Sequence, residues 1–179
     1  MTSDTSRSTR PASSHDLRPR RSLGQHFLKD PAYLNTMVQA AEVSESDHVL
    51  EIGPGTGVLT EALAATGAQV TAVELDERLA EHLKAKYTRK SNVTIIQGDI
   101  LAMEPSDLII GDAGNAEAQN VERQVGQSDG QNDGQYKVAA NLPYYITSAI
   151  LRQILEARTP PTLAAVMVQR EVAERICAE

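Results

Sequence analysis

From His48 onward the chain alternates between two hydrophobic periods. Short apolar runs, HVLEI, QVTAVELD, NVTIIQGD, KVAANLPYY and LAAVMVQ, stand between segments with apolar residues at helical spacing. Runs of this length, bounded by Gly, Asn and Asp, read as buried strands. Strands that alternate with helices form a parallel sheet with helices on both faces, so the expected fold class is α/β. The first strand is expected over His48 to Ile52 and the second ends at Glu74. The third ends at Gly98–Asp99, the fourth at Asn141, and LAAVMVQ is the fifth. A first helix should start where Asp30 caps and Pro31 takes the first helical position, burying Leu34, Met37, Val38 and Ala41. Leu59, Ala62 and Leu63 begin a helix that stops at Gly67. Leu75, Leu79 and Leu83 share the apolar face of another. Ile146, Ile150, Leu151 and Ile154 mark a fourth, and REVAERICAE starts a last one.

Two stretches lack this pattern. Residues 1–20 are Ser, Thr, Arg and Pro without apolar periodicity and are expected to be a disordered tail. Residues 111–135, GDAGNAEAQNVERQVGQSDGQNDGQ, hold almost nothing to bury and read as a disordered insertion between the third and fourth strands. A substrate-contacting loop is the other reading of the insertion, and its acidity argues against phosphate contact. Residues 21–179 are then one domain, in line with a chain of 179 residues. No apolar run approaches the length of a membrane span and no apolar signal segment opens the chain, so a cytoplasmic protein is expected. Cys177 is the sole cysteine, which excludes an internal disulfide; it reads as core. His15, His48 and His82 read as structural or surface residues, and no metal is expected. The formal charge of -7 is unevenly placed. Residues 1–30 carry five Arg and Lys29 against three Asp, a net +3, which leaves -10 for the rest. A basic arm on an acidic body suits a polyanion partner, and it equally suits a solvated tail.

The chemistry-bearing residues fall at strand ends: Gly53, Glu74, Asp99 and Asn141. Open parallel sheets bind ligands at the carboxyl ends of their strands, so four such ends suggest one crevice. GPGTG places Gly53, Gly55 and Gly57 at alternate positions, where the backbone can turn sharply and approach a ligand. Val58 stands where the dinucleotide fingerprint needs Gly or Ala, which counts against a nicotinamide oxidoreductase. Glu74, 21 residues beyond Gly53 at the next strand end, can accept both hydroxyl hydrogens of a ribose. Together these point to an adenosine-containing ligand. Asp99 can accept from an adenine amino group, or it is a turn residue after a strand.

The segment AANLPYYITS puts an amide, a proline and two tyrosines at the end of a buried strand. The Asn141 side-chain oxygen and the Leu142 carbonyl can each accept a hydrogen from one exocyclic amine. Pro143 has no N–H and stiffens the turn. Tyr144 offers a flat face for a base, worth roughly 1–3 kcal/mol by analogy with single-strand binders. The competing reading makes Tyr144 and Tyr145 half-buried strand-end rings.

LGQHFL, EIGPGTG, VELD, GDIL and NLPYYIT occur here in one order. In that order and spacing the chain resembles the small-subunit ribosomal RNA adenine N6,N6-dimethyltransferases (methyltransferase A). The resemblance covers about residues 20–110 and 136–179. It implies a Rossmann-like class I S-adenosylmethionine-dependent methyltransferase fold with a mostly parallel sheet. It further implies S-adenosyl-L-methionine as cofactor, small-subunit ribosomal RNA or a pre-30S particle as partner, a monomer, and a role in ribosome biogenesis. Carried over residue by residue, His26 and Leu28 line the cofactor site, and Gly53 and Gly55 abut the methionine portion. Glu74 binds the ribose and Asp99 the cofactor adenine. Asn141 sits between methyl donor and target amine, Leu142 and Pro143 complete that turn, and Tyr144 stacks on the flipped adenine. The family continues through further strands and a helical C-terminal domain, so the chain is expected to be a truncated N-terminal part with its last strands missing.

The adenine amine is a poor nucleophile because its lone pair is delocalised into the ring. Two acceptors holding both N–H bonds favour a pyramidal nitrogen, and positioning supplies most of the rate. The target base must be unstacked to enter. Two alternatives stay open: a large-subunit methyltransferase of the macrolide-resistance type, against which Leu142 and LGQHFL count, and a non-catalytic nucleotide- or RNA-binding module.

Overall fold

The computed structural model describes residues 31–110, 134–142 and 145–178. Six α-helices and five strands follow in the order α1 (Pro31–Ala40), β1 (His48–Ile52), α2 (Val58–Ala64), β2 (Gln69–Glu74), α3 (Glu77–Tyr87), β3 (Val93–Gln97), α4 (Asp107–Ile110), β4 (Lys137–Asn141), α5 (Thr147–Leu155), β5 (Leu163–Met167) and α6 (Arg170–Ile176). A short 3-10 turn, Ile100–Ala102, follows β3. Among the described residues all strand pairings are parallel, in the order β3-β2-β1-β4-β5.

Alternation along β1 sends successive residues to two different cores. Val49 joins Met37 of α1, Leu59 and Leu63 of α2, and Val70 of β2 on one face. Leu50 and Ile52 join Val138 and Ala140 of β4, Ile150 and Ile154 of α5, and Ile100 on the other. Sandwiching between helix layers explains why β1 and β4 are nearly pure apolar runs. The first helix starts at Pro31 and buries Met37, with Ala41 just beyond its end.

Three expectations need correction. The third strand ends at Gln97, short of Gly98–Asp99, because Asp99 turns the chain: its side chain accepts from the Leu101 N–H as the cap of the 3-10 turn. Leu75 fits the spacing of Leu79 and Leu83 but lies outside the helix. Asp76 accepts from the N–H groups of Arg78 and Leu79, so α3 starts at Glu77, and Leu75 is left 50% exposed. Cys177 is exposed rather than core, since α6 buries none of its residues. The basic tail, Asp30 and most of the acidic insertion lie outside the described residues.

The β1–α2 connection is fixed by the α3 side of the fold. Gly57 has φ +77°, and a Cβ there would stand 2.6 Å from Leu83 Cδ2. The Tyr87 hydroxyl donates to the Gly57 carbonyl at 2.8 Å. Gly57→Ala should therefore lose stability twice, by left-handed strain and by overpacking, for about 2–5 kcal/mol in urea unfolding. A loss below about 0.5 kcal/mol, the usual range of a surface change, would show that this approach is not needed.

Candidate functional site

The chain leaves β1 for β2 and β3 on one side of the sheet, then returns to β4 and β5 on the other. Such a reversal opens a crevice at the carboxyl ends of the two central strands. The register brings those ends level: Ile52 pairs with Val73 and Ala140, Glu74 with Gln97, and Asn141 with Met167. An open crevice lies there, with Gly53, Glu74, Gly98 and Asp99 on its polar side. Leu75, Ile100, Tyr145 and Ile146 form its apolar wall.

Glu74 is 1% exposed. Its Oε2 accepts from the Gly55 N–H and its Oε1 from the Asp76 N–H, each at 2.9 Å. Burial raises its pKa above the ordinary glutamate value, while the Asp76 and Gly55 N–H bonds pull against that rise. A carboxylate has about four acceptor sites, so two further hydrogens can be accepted at these oxygens. Gly53 has φ +68°, a conformation that L side chains rarely adopt, and among the described residues, its chain neighbours aside, no atom lies within 4 Å of where its Cβ would stand. Its glycine is needed for the turn, and the space before it belongs to the crevice.

Asp99 lines the crevice next to Gly98, with Oδ1 used by the Leu101 N–H at 3.0 Å. Asp99 is thus both a turn cap and part of the crevice wall. Gly55 takes part through its N–H to Glu74. Asn141 is half-buried at the end of β4, and the Leu142 N–H donates to the Met167 carbonyl at 3.1 Å. That bond holds the turn after β4 against β5. Tyr145 is 58% exposed on the crevice wall, so it is no half-buried ring. His26, Leu28, Pro143 and Tyr144 lie outside the described residues.

Several site residues escaped the sequence reading. Leu75 follows the acidic end of β2 and Ile100 follows the Asp99 cap, and both put apolar surface beside a polar edge of the crevice. The other is Glu51, whose only sequence signal was a carboxylate inside an apolar run. It lies on the α2 face of β1 and is 1% exposed. Burial pushes its pKa up to about 8; the Thr60 hydroxyl beside it opposes that rise and the Glu74 carboxylate adds to it. Glu51 Oε2 and the Thr60 hydroxyl nevertheless lack a partner with hydrogen-bond geometry. Glu51 is thus a neutral acid at pH 7, which spares Glu74 a second negative charge nearby. Among the described residues, no cluster of His, Cys, Asp or Glu could hold a metal ion, and no helix is long and apolar enough to cross a membrane.

A parallel sheet with this switch point, a glycine turn after β1 and a carboxylate ending β2 define a Rossmann-like fold of the class I S-adenosylmethionine-dependent methyltransferases. The family model for ribosomal RNA adenine dimethylase matches residues 17–179, and the chain belongs to that family. It is 44% identical over 165 residues to a ribosomal RNA small subunit methyltransferase A of Dehalococcoides mccartyi, covering 92% of this chain and 50% of that protein. It is 40% identical to the protein of that name from Latilactobacillus sakei, covering 88% and 47%. The chain thus spans about half the length of the curated relatives it matches. Among solved structures it resembles a 23S rRNA methyltransferase, ErmE, with TM-score 0.62 and 32% identity over 83% of this chain and 50% of the other. A dimethyladenosine transferase from Plasmodium falciparum gives 0.61 and 28%, over 86% and 47%.

Glu51 makes stability depend on pH. Between about pH 4.5 and 8 the folded chain holds a proton that the unfolded chain has lost, so stability falls as pH rises through that window. Glu51→Gln should remove this fall, on the order of 4 kcal/mol by pH 8, in urea titrations at stepped pH. A slope equal to that of the parent chain would place the proton elsewhere.

Proposed function

We propose that the protein is the cofactor-binding part of a small-subunit ribosomal RNA adenine N6,N6-dimethyltransferase with S-adenosyl-L-methionine as methyl donor. The carrying observation is the Glu74 carboxylate, locked by two backbone N–H bonds at the mouth of a crevice with apolar walls. Glu74 accepts from the ribose hydroxyls and Asp99 from the adenine amine. Leu75 and Ile100 offer their apolar surface to the adenine ring. Gly53 and Gly55 keep side chains away from the methionine portion, and His26 and Leu28 close that end. When bound, the cofactor supplies an electrophilic methyl on a sulfonium.

The remaining work belongs to the turn after β4. The Asn141 side-chain oxygen and the Leu142 carbonyl accept the two hydrogens of the target amine and orient its lone pair. Pro143 keeps the turn rigid and Tyr144 stacks on the unstacked base. Nothing there acts as a strong base; orientation supplies the rate. The curated relatives bearing the small-subunit name, together with Leu142 in the Asn-Leu-Pro-Tyr motif, favour that RNA over the large-subunit one. A monomeric protein in the cytoplasm, acting on a pre-30S particle with the basic arm near RNA, completes the reading. Residues 21–179 form one domain in it, interrupted by the insertion at 111–135.

Calorimetric titration of S-adenosylhomocysteine into this chain tests the site. Glu74→Ala should weaken binding by roughly 10–100-fold with the circular dichroism spectrum unchanged, the worth of hydrogen bonds to a charged group. Asn141→Ala should bind as the parent does and, in a completed enzyme of its relatives' length, fail to transfer tritiated methyl to undermethylated small-subunit RNA. Equal affinity in Glu74→Ala removes the ribose role, and transfer to large-subunit RNA alone selects the other target.

A further inference from the structure

The adenine side of the crevice is built on a turn rather than on a strand. Gly98 and Asp99 lead into the 3-10 turn Ile100–Ala102, and Met103 closes it with its N–H on the Ile100 carbonyl. A turn outside the sheet ladder is held by whatever satisfies its carbonyls. Here one side chain from a distant element does so. Gln153 of α5 donates from Nε2 to the Ile100 carbonyl at 2.6 Å and to the Met103 carbonyl at 2.5 Å. It therefore clamps both ends of the turn that carries Asp99. Two contacts reinforce the clamp. Ile150, one turn earlier on α5, packs in the same core as Ile100. The Met103 side chain folds over Gly98, where a Cβ would stand 2.1 Å from Met103 Cε.

The other end of the Gln153 amide sets it apart from an ordinary glutamine on an amphipathic helix. Its Oε1 is buried and has no partner. The side chain is thus turned so that only its donor half bonds, and that half serves only the Asp99 turn. Helix α5 also starts a few residues after Asn141 and Leu142, so the helix next to the target-side turn grips the adenine-side turn.

We propose that Gln153 is a positioning residue: by holding the Ile100 and Met103 carbonyls it sets Asp99 for a 6-amino purine and against a 6-oxo purine. It touches no cofactor atom and acts through Asp99. The proposal rests on the cofactor reading above. Donation alone is required, so a donor-only side chain suffices, and an acceptor-only or apolar one of similar shape does not.

The test is calorimetric affinity of the chain for S-adenosylhomocysteine and for its 6-oxo analogue, S-inosylhomocysteine. The parent chain should prefer the amino ligand. Gln153→Glu should lower that preference by about tenfold, the loss of one to two hydrogen bonds. Gln153→Met gives the same comparison should the glutamate variant not fold. Gln153→Lys, which offers donors and no acceptor, should restore the parent preference. An unchanged preference in both the glutamate and methionine variants overturns the role of Gln153 and leaves the cofactor reading in place. A lysine variant as poor as the methionine one also overturns it, because packing and not donation is then at work. A parent chain that binds neither ligand overturns the cofactor reading and this inference together.

Discussion

Glu74 ties together the segments that follow three strands. Its carboxylate accepts from Gly55 after β1 and from Asp76 after β2, and its own carbonyl accepts from the Gly98 N–H after β3 at 2.9 Å. Each of those segments leaves the sheet just where ladder hydrogen bonding ends. Without a shared partner each would choose its own path over the strand ends. The carboxylate fixes the first two and the backbone carbonyl the third, and the crevice lies between them. The residue assigned to the ligand is thus the residue that builds the site. The two roles are compatible because N–H bonds use only part of a carboxylate's acceptor capacity.

This arrangement has an electrostatic cost, and the neighbouring strand answers it. A buried carboxylate loses solvation, and a second one nearby adds repulsion. Glu51 on β1 is that second carboxyl, and its burial keeps it protonated near neutral pH. At Glu74 the Asp76 and Gly55 N–H bonds work against the rise that burial brings. The two carboxyls differ in their surroundings: both Glu74 oxygens accept from backbone N–H groups, whereas Glu51 Oε2 has no hydrogen-bond partner among the described residues.

The sheet and its crevice were legible in the sequence because strands buried on both faces must be apolar along their length. Their polar endings, Glu74 and Asn141, then stand out. Leu75 was misread because its spacing to Leu79 and Leu83 matches a helical stripe. Periodicity does not show where the Asp76 cap starts the helix. Asp99 was placed in a strand because a following 3-10 turn has no periodic signal. Cys177 was assigned to a core because cysteine is usually buried, yet α6 presents no buried face. Gln153 gave no signal at all. A polar residue on an amphipathic helix looks like solvent-facing surface until the partner carbonyls, some 50 residues away, are placed beside it.

In the proposed function the charge distribution separates cofactor recognition from RNA recognition along the chain. Ribose and adenine amine call for acceptors, and the body that carries Glu74 and Asp99 is acidic, with net -10 outside residues 1–30. Phosphate calls for cations, since neutralising the backbone supplies most of the affinity for a nucleic acid. The densest cations are the five Arg and Lys29 of residues 1–30. In the proposed function this segment also holds His26 and Leu28 at the cofactor end. An acidic body repels a polyanion at long range and leaves the basic segment as the point of approach. In that reading one short stretch serves both the cofactor, through His26 and Leu28, and the RNA, through its cations.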